Sequence, residues 1–120
     1  MQNYRRLSVW RKAHAVALNI HQLTQGIPPK RSAGLVSQIQ RSALSIPANI
    51  AEGASRATDK DFAKFLQVAL ASTTEVEYHL EFAADAGLIS RRDFTLRQDE
   101  VVEVRRMLTG FVKHLRQAIR

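Results

Sequence analysis

The chain has 120 residues, of which 45% are hydrophobic, and contains no cysteine, so it fits one domain over residues 1–120 and excludes disulfides and thiolate metal sites. The formal net charge of +7 is unevenly spread: residues 1–51 hold seven Lys and Arg and no acid, residues 52–103 hold all eleven acids and six bases, and residues 104–120 hold five bases. This segregation predicts a basic surface that attracts polyanions, although ordinary solubility explains it equally well.

The first predicted helix begins at Ser8 and ends at Gln25. Ser8 fits an N-cap, and Gly26 with the pair Pro28-Pro29 stops the helix. Its apolar residues recur three and four positions apart, the spacing of one helix face: Ala13, Val16, Ile20 and Leu23. We expect this face to line the core.

A second helix is predicted from about Lys30 to Glu52, with Gly53 as its C-terminal stop. Pro47 lies inside it, removes one backbone hydrogen bond and is expected to kink the last two turns. The apolar stripe is Leu35, Ile39, Ala43, Ile46 and Ile50. A polar stripe lies beside it: Gln38, Arg41, Ser45, Asn49 and Glu52. This polar stripe is either solvated or, in an oligomer, part of an interface or a channel.

The third helix is predicted from a capping box, Thr58 followed by Asp61, to about Ala86, where Gly87 closes it. Its core stripe is Phe62, Leu66, Ala69, Thr73, Val76, Leu80 and Ala83. A second apolar stripe lies roughly opposite: Val68, Ala71, Tyr78 and Phe82. Because this second face has no partner inside a four-helix monomer, it predicts self-association, with scattered surface aromatics as the alternative.

The fourth helix is predicted to follow Ser90, which has Asp93 three residues later in the same capping pattern. Its apolar residues keep heptad spacing: Phe94, Val101, Val104, Leu108, Phe111, Leu115 and Ala118. No strand pattern competes with the helical one in this sequence. The predicted fold is therefore all-α, an antiparallel up-and-down four-helix bundle.

The sequence contains no motif typical of catalysis, metal binding or phosphate binding. The four histidines, His14, His21, His79 and His114, follow no metal-ligand spacing. We therefore expect a protein that is not an enzyme and has no cofactor, metal or small-molecule substrate. No apolar run is long enough to span a bilayer or to act as a signal peptide, which predicts no membrane partner and a cytoplasmic location.

Several blocks of residues resemble a known family. They are Leu7-Ser8-Val9-Trp10 with Lys12-Ala13, Gln38 with Arg41-Ser42-Ala43, Ser45-Ile46-Pro47-Ala48-Asn49-Ile50-Ala51-Glu52-Gly53, and Asp61-Phe62, Phe65-Leu66, Ala69, Ser72, Glu75 and Leu80. The chain is similar over nearly its whole length to the bacterial four-helix-bundle family encoded by intervening sequences in 23S ribosomal RNA genes. The block from Asn49 to Gly53 is the most specific part of the resemblance.

The resemblance implies a bundle that assembles as a ring-shaped homopentamer, in agreement with the second apolar stripe. The expected interface residues are Val68, Ala71, Tyr78 and Phe82, with Asn49 and Glu52. The family's cellular role is poorly established. A related branch, the accessory subunits of diversity-generating retroelements, resembles a basic pentamer that binds nucleic acid and a reverse transcriptase, and only this general idea carries over to the present chain.

The leading hypothesis is a non-enzymatic oligomeric bundle that binds RNA or another polyanion. The expected nucleic-acid-binding residues are Arg5, Arg6, Arg11, Lys12, Lys30, Arg31 and Arg41, with a second group of Arg105, Arg106, Lys113, Arg116 and Arg120. The alternative is a protein-protein interaction scaffold that recruits a partner through the polar stripe of the second helix or the acidic third helix.

Overall fold

The computed structural model describes residues 1–119, which form four α-helices after a short 3-10 turn. The elements are the turn Tyr4–Arg6, α1 Ser8–Gln25, α2 Pro29–Ala54, α3 Asp59–Asp85 and α4 Arg91–Ile119. None of the described residues lies in a strand. The predicted all-α fold with four helices is confirmed.

Neighbouring helices run in opposite directions, because residue numbers rise on one helix as they fall on the next. The contacts that show this are Gln2 with Ala54 and Thr24 with Gln40 between α1 and α2, Gly53 with Phe62 and Ser45 with Ser72 between α2 and α3, and Phe62 with Phe111 and Thr73 with Arg105 between α3 and α4. The fourth helix also packs on the first, which closes the bundle. The result is a rod of 49 × 20 × 20 Å.

The core runs along the axis of this rod and is filled by aliphatic side chains from all four helices. The largest fully buried ones include Ile20, Ile39, Ile46, Ile50, Leu66, Leu80 and Leu108. The apolar stripes predicted from helical spacing supply most of this core, with Leu23, Leu35 and Phe111 only partly buried. Ala118 was expected in the core but is exposed, because the last turn of α4 lies at the end of the bundle; Val112 is buried instead.

Two of the predicted helix starts are confirmed by their capping hydrogen bonds. The Thr58 hydroxyl accepts from the Asp61 amide at 3.1 Å, and the Ser90 hydroxyl accepts from the Asp93 amide at 3.0 Å. The predicted cap at Ser8 is wrong. Ser8 is already helical, and Leu7, whose backbone is extended, occupies the capping position without a side-chain bond.

The predicted stop of α2 at Gly53 is also wrong, because the helix continues to Ala54 and Gly53 is buried inside it. A Cβ atom built on Gly53 would lie 2.8 Å from Phe62 Cδ1 and 2.9 Å from Phe65 Cβ. Glycine is therefore required here because α3 approaches the α2 backbone closely. The helix keeps helical backbone angles through Pro47, and the described interruption within α2 lies near its start, at Ser32.

Candidate functional site

The antiparallel arrangement collects basic residues at one end of the rod, where α1 and α3 begin and α2 and α4 end. The Gln2 amide donates to the Ala54 carbonyl at 2.8 Å, and Lys60 of α3 and Arg116 of α4 line one shared depression. We call this region the basic end and define it by Arg5, Arg6, Arg11, Lys12, Arg56, Lys60, Lys64, Lys113 and Arg116. Only three acids accompany these nine bases: Glu52, Asp59 and Asp61.

The remainder of the described chain carries eight bases and eight acids, so the excess positive charge of the described residues lies at the basic end. Many of the charges elsewhere are paired within the molecule. The pairs are Arg91 with Asp85 at 2.8 Å, Arg97 with Glu100 at 3.0 Å, Arg105 with Glu77 at 3.3 Å and Arg106 with Glu103 at 3.0 Å. At the basic end the described pairs are Arg56 with Glu52 and Lys64 with Asp61. A strongly positive, weakly compensated surface attracts polyanions.

The segment before α1 folds back onto that helix and places its arginines at the basic end. The Arg5 guanidinium lies 4.6 Å from the centre of the Tyr4 ring, a cation–π contact. The Arg11 guanidinium donates to the Arg5 carbonyl at 3.1 Å, and Tyr4 packs edge-on against Trp10 at 4.8 Å. The side chains of Arg5 and Arg11 are exposed in this arrangement.

A groove between α3 and α4 extends the basic end along the rod. It consists of two adjoining depressions of about 340 and 350 Å³, which share Gln67 and Arg116. Its cationic rim is formed by Lys60, Lys64, Lys113 and Arg116, and its apolar floor by Ala63, Leu70 and Val112. No carboxylate among the described residues lines either depression, so the groove can accept negatively charged groups.

The structure separates the basic residues predicted from sequence into three places. Arg5, Arg6, Arg11 and Lys12 lie together at the basic end, and Lys113 and Arg116 of the second predicted group join them. Lys30 and Arg31 lie at the start of α2, roughly 35 Å along that helix from the basic end. Arg41 lies midway along α2, and Arg105 and Arg106 midway along α4, both in ion pairs. Arg120 lies outside the described residues.

Sequence reasoning missed three residues of the basic end: Arg56, Lys60 and Lys64. They fall in the acid-rich segment 52–103, where a charge count along the chain hides them. The signal that could have identified them is the predicted topology, since the start of the third helix meets the end of the fourth in an up-and-down bundle.

The polar stripe predicted on α2 packs partly against α3. The hydroxyls of Ser45 and Ser72 lie 2.8 Å apart across the two helices, and the Asn49 amide donates to the Ser45 carbonyl at 2.7 Å. Arg41 borders a depression of about 370 Å³ beside these serines, together with Glu75. The stripe is therefore a half-buried polar seam between helices, and its amide and hydroxyl groups bond within the molecule.

The second apolar stripe of α3 is exposed to solvent in the single chain. Tyr78 is 60% exposed, Phe82 49% and Val68 48%, and Ala71 is also exposed. Large apolar side chains grouped on one helix face mark a surface that another protein chain can cover.

The described residues offer no group of three or more His, Asp or Glu that could hold a metal ion, and none of the described helices is long and apolar enough to cross a membrane. The Ser42 hydroxyl lies 3.3 Å from His79 Nδ1. The same hydroxyl donates within α2 to the carbonyls of Gln38 and Ile39, at 2.9 and 3.1 Å. Its hydrogen is thus shared with the helix backbone, an arrangement unlike that of an activated nucleophile.

Comparison with known proteins agrees with this architecture. The sequence model of the family described as 23S rRNA-intervening sequence protein matches residues 5–110. The crystal structure of a protein of unknown function from the S23 ribosomal protein family of Bacteroides thetaiotaomicron is similar, with a TM-score of 0.81 and 28% sequence identity over 88% of this chain and 98% of that chain. No curated protein is similar enough in sequence to count as a relative. The chain therefore belongs to the 23S rRNA-intervening sequence protein family.

Proposed function

We propose that this protein is a non-enzymatic helical bundle that binds RNA through the basic end and works as a homo-oligomer. The observation that carries the proposal is the collection of nine bases and three acids at one end of a rod whose remaining described charges balance. The name of the family places such proteins beside ribosomal RNA genes, which makes RNA a natural first ligand to test.

Phosphate contacts account for this choice of ligand. The end of the rod is about 20 Å across, so several cations lie within reach of one stretch of nucleic-acid backbone. Arginine and lysine that neutralise phosphates release bound counterions, and binding of this kind weakens steeply as salt rises. Two of the three acids at the basic end already pair with Arg56 and Lys64, which leaves the other cations for a ligand.

The test is a comparison of two variants that change the charge equally at opposite ends of the rod. Arg11→Glu with Lys12→Glu reverses two charges at the basic end, and Lys30→Glu with Arg31→Glu reverses two at the far end. Binding to a labelled 20-nucleotide RNA is followed by fluorescence anisotropy at several salt concentrations, with the fold checked by circular dichroism. We expect the first variant to bind at least about tenfold more weakly and with a shallower salt dependence, by about 0.7 in slope for each lost phosphate contact on a single strand.

The outcomes separate cleanly. Equal weakening by both variants would mean that net charge alone attracts RNA, and the basic end would lose its role. Undetectable affinity of the wild-type protein at low salt would overturn RNA binding altogether.

The proposal of a homo-oligomer rests on the exposed apolar face of α3, and the family resemblance implies a pentamer. Tyr78→Glu with Phe82→Glu places two charges on that face while changing only exposed side chains, so the fold is expected to survive. Leu96→Glu, at a 44% exposed position on α4, is the matched control. Sedimentation velocity is expected to show an oligomer for the wild type and the control and a monomer for the double variant. A wild-type monomer at micromolar concentration would refute the proposal.

A scaffold for a protein partner is the second candidate, favoured by the acidic residues that flank the exposed aromatics of α3. Glu75, Glu81 and Asp85 are exposed beside Tyr78 and Phe82. A pull-down from native lysate, performed with and without nuclease, distinguishes the candidates. Loss of RNA on nuclease treatment with no protein retained supports RNA binding, whereas a protein partner that survives the treatment supports the scaffold.

A further inference from the structure

One exposed stripe of α1 leads from the basic end toward the middle of the rod. Arg11, His14, Leu18 and His21 follow one another at intervals of three, four and three residues, which places them on one helix face. All four side chains are exposed. The stripe begins with a cation at the basic end and continues with imidazole and aliphatic groups.

Beside this stripe, α1 and α2 enclose a depression of about 270 Å³. Its walls are His14, Ala17, Leu18, His21, Gln40 and Leu44. Ala17 is buried beneath it, and Leu18 and Leu44 are 51% and 61% exposed. An apolar hollow edged by a few groups that can form hydrogen bonds is the usual form of a site for a small planar group.

The depression adjoins a stack of aromatic rings. The rings of Trp10 and His14 lie 4.9 Å apart and within 8° of parallel, and Tyr4 closes the far side of Trp10 edge-on. His14 is exposed, so the stack is open to solvent at its imidazole end. A further flat ring can extend the stack there and rest on the aliphatic wall of the depression.

We infer that this depression takes one unpaired base of a single-stranded nucleic acid, so that the protein binds single strands more tightly than duplexes. The inference rests on the proposed RNA binding, because the cations at the basic end and Arg11 hold the backbone that delivers the base. A duplex keeps the faces of its bases stacked and cannot offer one to His14, whereas a single strand can. The negative charge of the backbone matches the cationic start of the stripe, which selects nucleic acid as the occupant.

The test uses three RNA probes of equal length: a single strand, a duplex and an abasic strand, which keeps the phosphates and lacks the bases. His14→Ala with Leu44→Ala changes two exposed walls of the depression, and Leu96→Ala is the control on another helix. We expect the wild type and the control to bind the single strand about tenfold more tightly than the abasic strand, the size of one stacked base. The double variant is expected to lose this preference and to keep its affinity for the abasic strand and the duplex.

Trp10 supplies an independent readout, because it is the sole tryptophan of the chain. Its fluorescence is expected to change when the single strand binds and to stay constant with the abasic strand.

Each alternative outcome is informative. Equal affinity for the three probes, together with strong weakening by Arg11→Glu and Lys12→Glu, would overturn the base site and leave RNA binding intact. Absence of binding to every probe would overturn both. A shift of the double variant to smaller assemblies in sedimentation would assign the depression to a contact between subunits and overturn the inference.

Discussion

Gly53→Ala is expected to destabilise the protein although alanine is the better helix former. The added Cβ atom would lie 2.8 Å from Phe62 Cδ1 and 2.9 Å from Phe65 Cβ, and carbon atoms pack at about 3.5–4.0 Å. The Phe62 ring is only 3% exposed and lies against Phe111 at 5.1 Å, so it has little room to move. Phe65 Cβ is attached directly to the α3 backbone, so relief of that contact requires α3 to shift.

The magnitude follows from two opposing terms. Replacing glycine by alanine inside a helix contributes about 1 kcal/mol of stability. Overpacking of a tight contact costs about 1–3 kcal/mol, and a clash with a backbone-attached atom belongs to the upper part of that range. We therefore expect a net loss of about 1–2 kcal/mol, which lowers the melting temperature of a domain of this size by roughly 4–8 °C.

The matched control is Gly110→Ala. Gly110 is helical and exposed, and an added Cβ would meet nothing within 4 Å. This variant retains only the helical gain and is expected to be more stable than the wild type by about 0.5–1 kcal/mol. Both variants are unfolded in guanidinium chloride at one protein concentration and followed by circular dichroism at 222 nm. Equal stabilisation by both changes would refute the close approach of α3 to Gly53.

Two further predictions concern single interactions. Thr58→Ala removes the side-chain acceptor of the Asp61 amide and is expected to lower the unfolding free energy by about 1 kcal/mol, while Thr58→Ser should retain most of it; an unchanged midpoint for Thr58→Ala would count against the cap. Arg105→Ala leaves the half-buried carboxylate of Glu77 without its ion pair and is expected to cost about 1–2 kcal/mol, whereas Arg106→Ala removes an exposed pair and is expected to cost less than about 0.5 kcal/mol. Equal losses for the two arginines in the same denaturation assay would contradict this ranking.

The spacing of apolar residues was sufficient to predict the helices and most of the core. An α-helix repeats every 3.6 residues, so a stripe such as Leu66, Val76 and Leu80 can be assigned to the core from sequence alone. Caps at Thr58 and Ser90 were equally accessible, because a capping box involves residues only three apart.

Features that depend on contacts between helices were not accessible in this way. A glycine after an apolar run commonly ends a helix, and only the position of Phe62 and Phe65 on the next helix reveals why Gly53 lies inside one. The basic end is a similar case. Lys60 and Lys113 are 53 positions apart in the numbering, and they belong to one surface because α3 and α4 are antiparallel.

The separation of charge along the rod gives each subunit a direction. In a ring whose symmetry axis runs parallel to the bundles, every subunit points the same way, so all basic ends gather on one face and the other face carries no excess charge. A two-fold dimer with its axis across the rods would instead send the basic ends to opposite sides. The ring would therefore be a Janus particle, which settles onto a polyanion with one face and presents the acidic halves of α3 away from it.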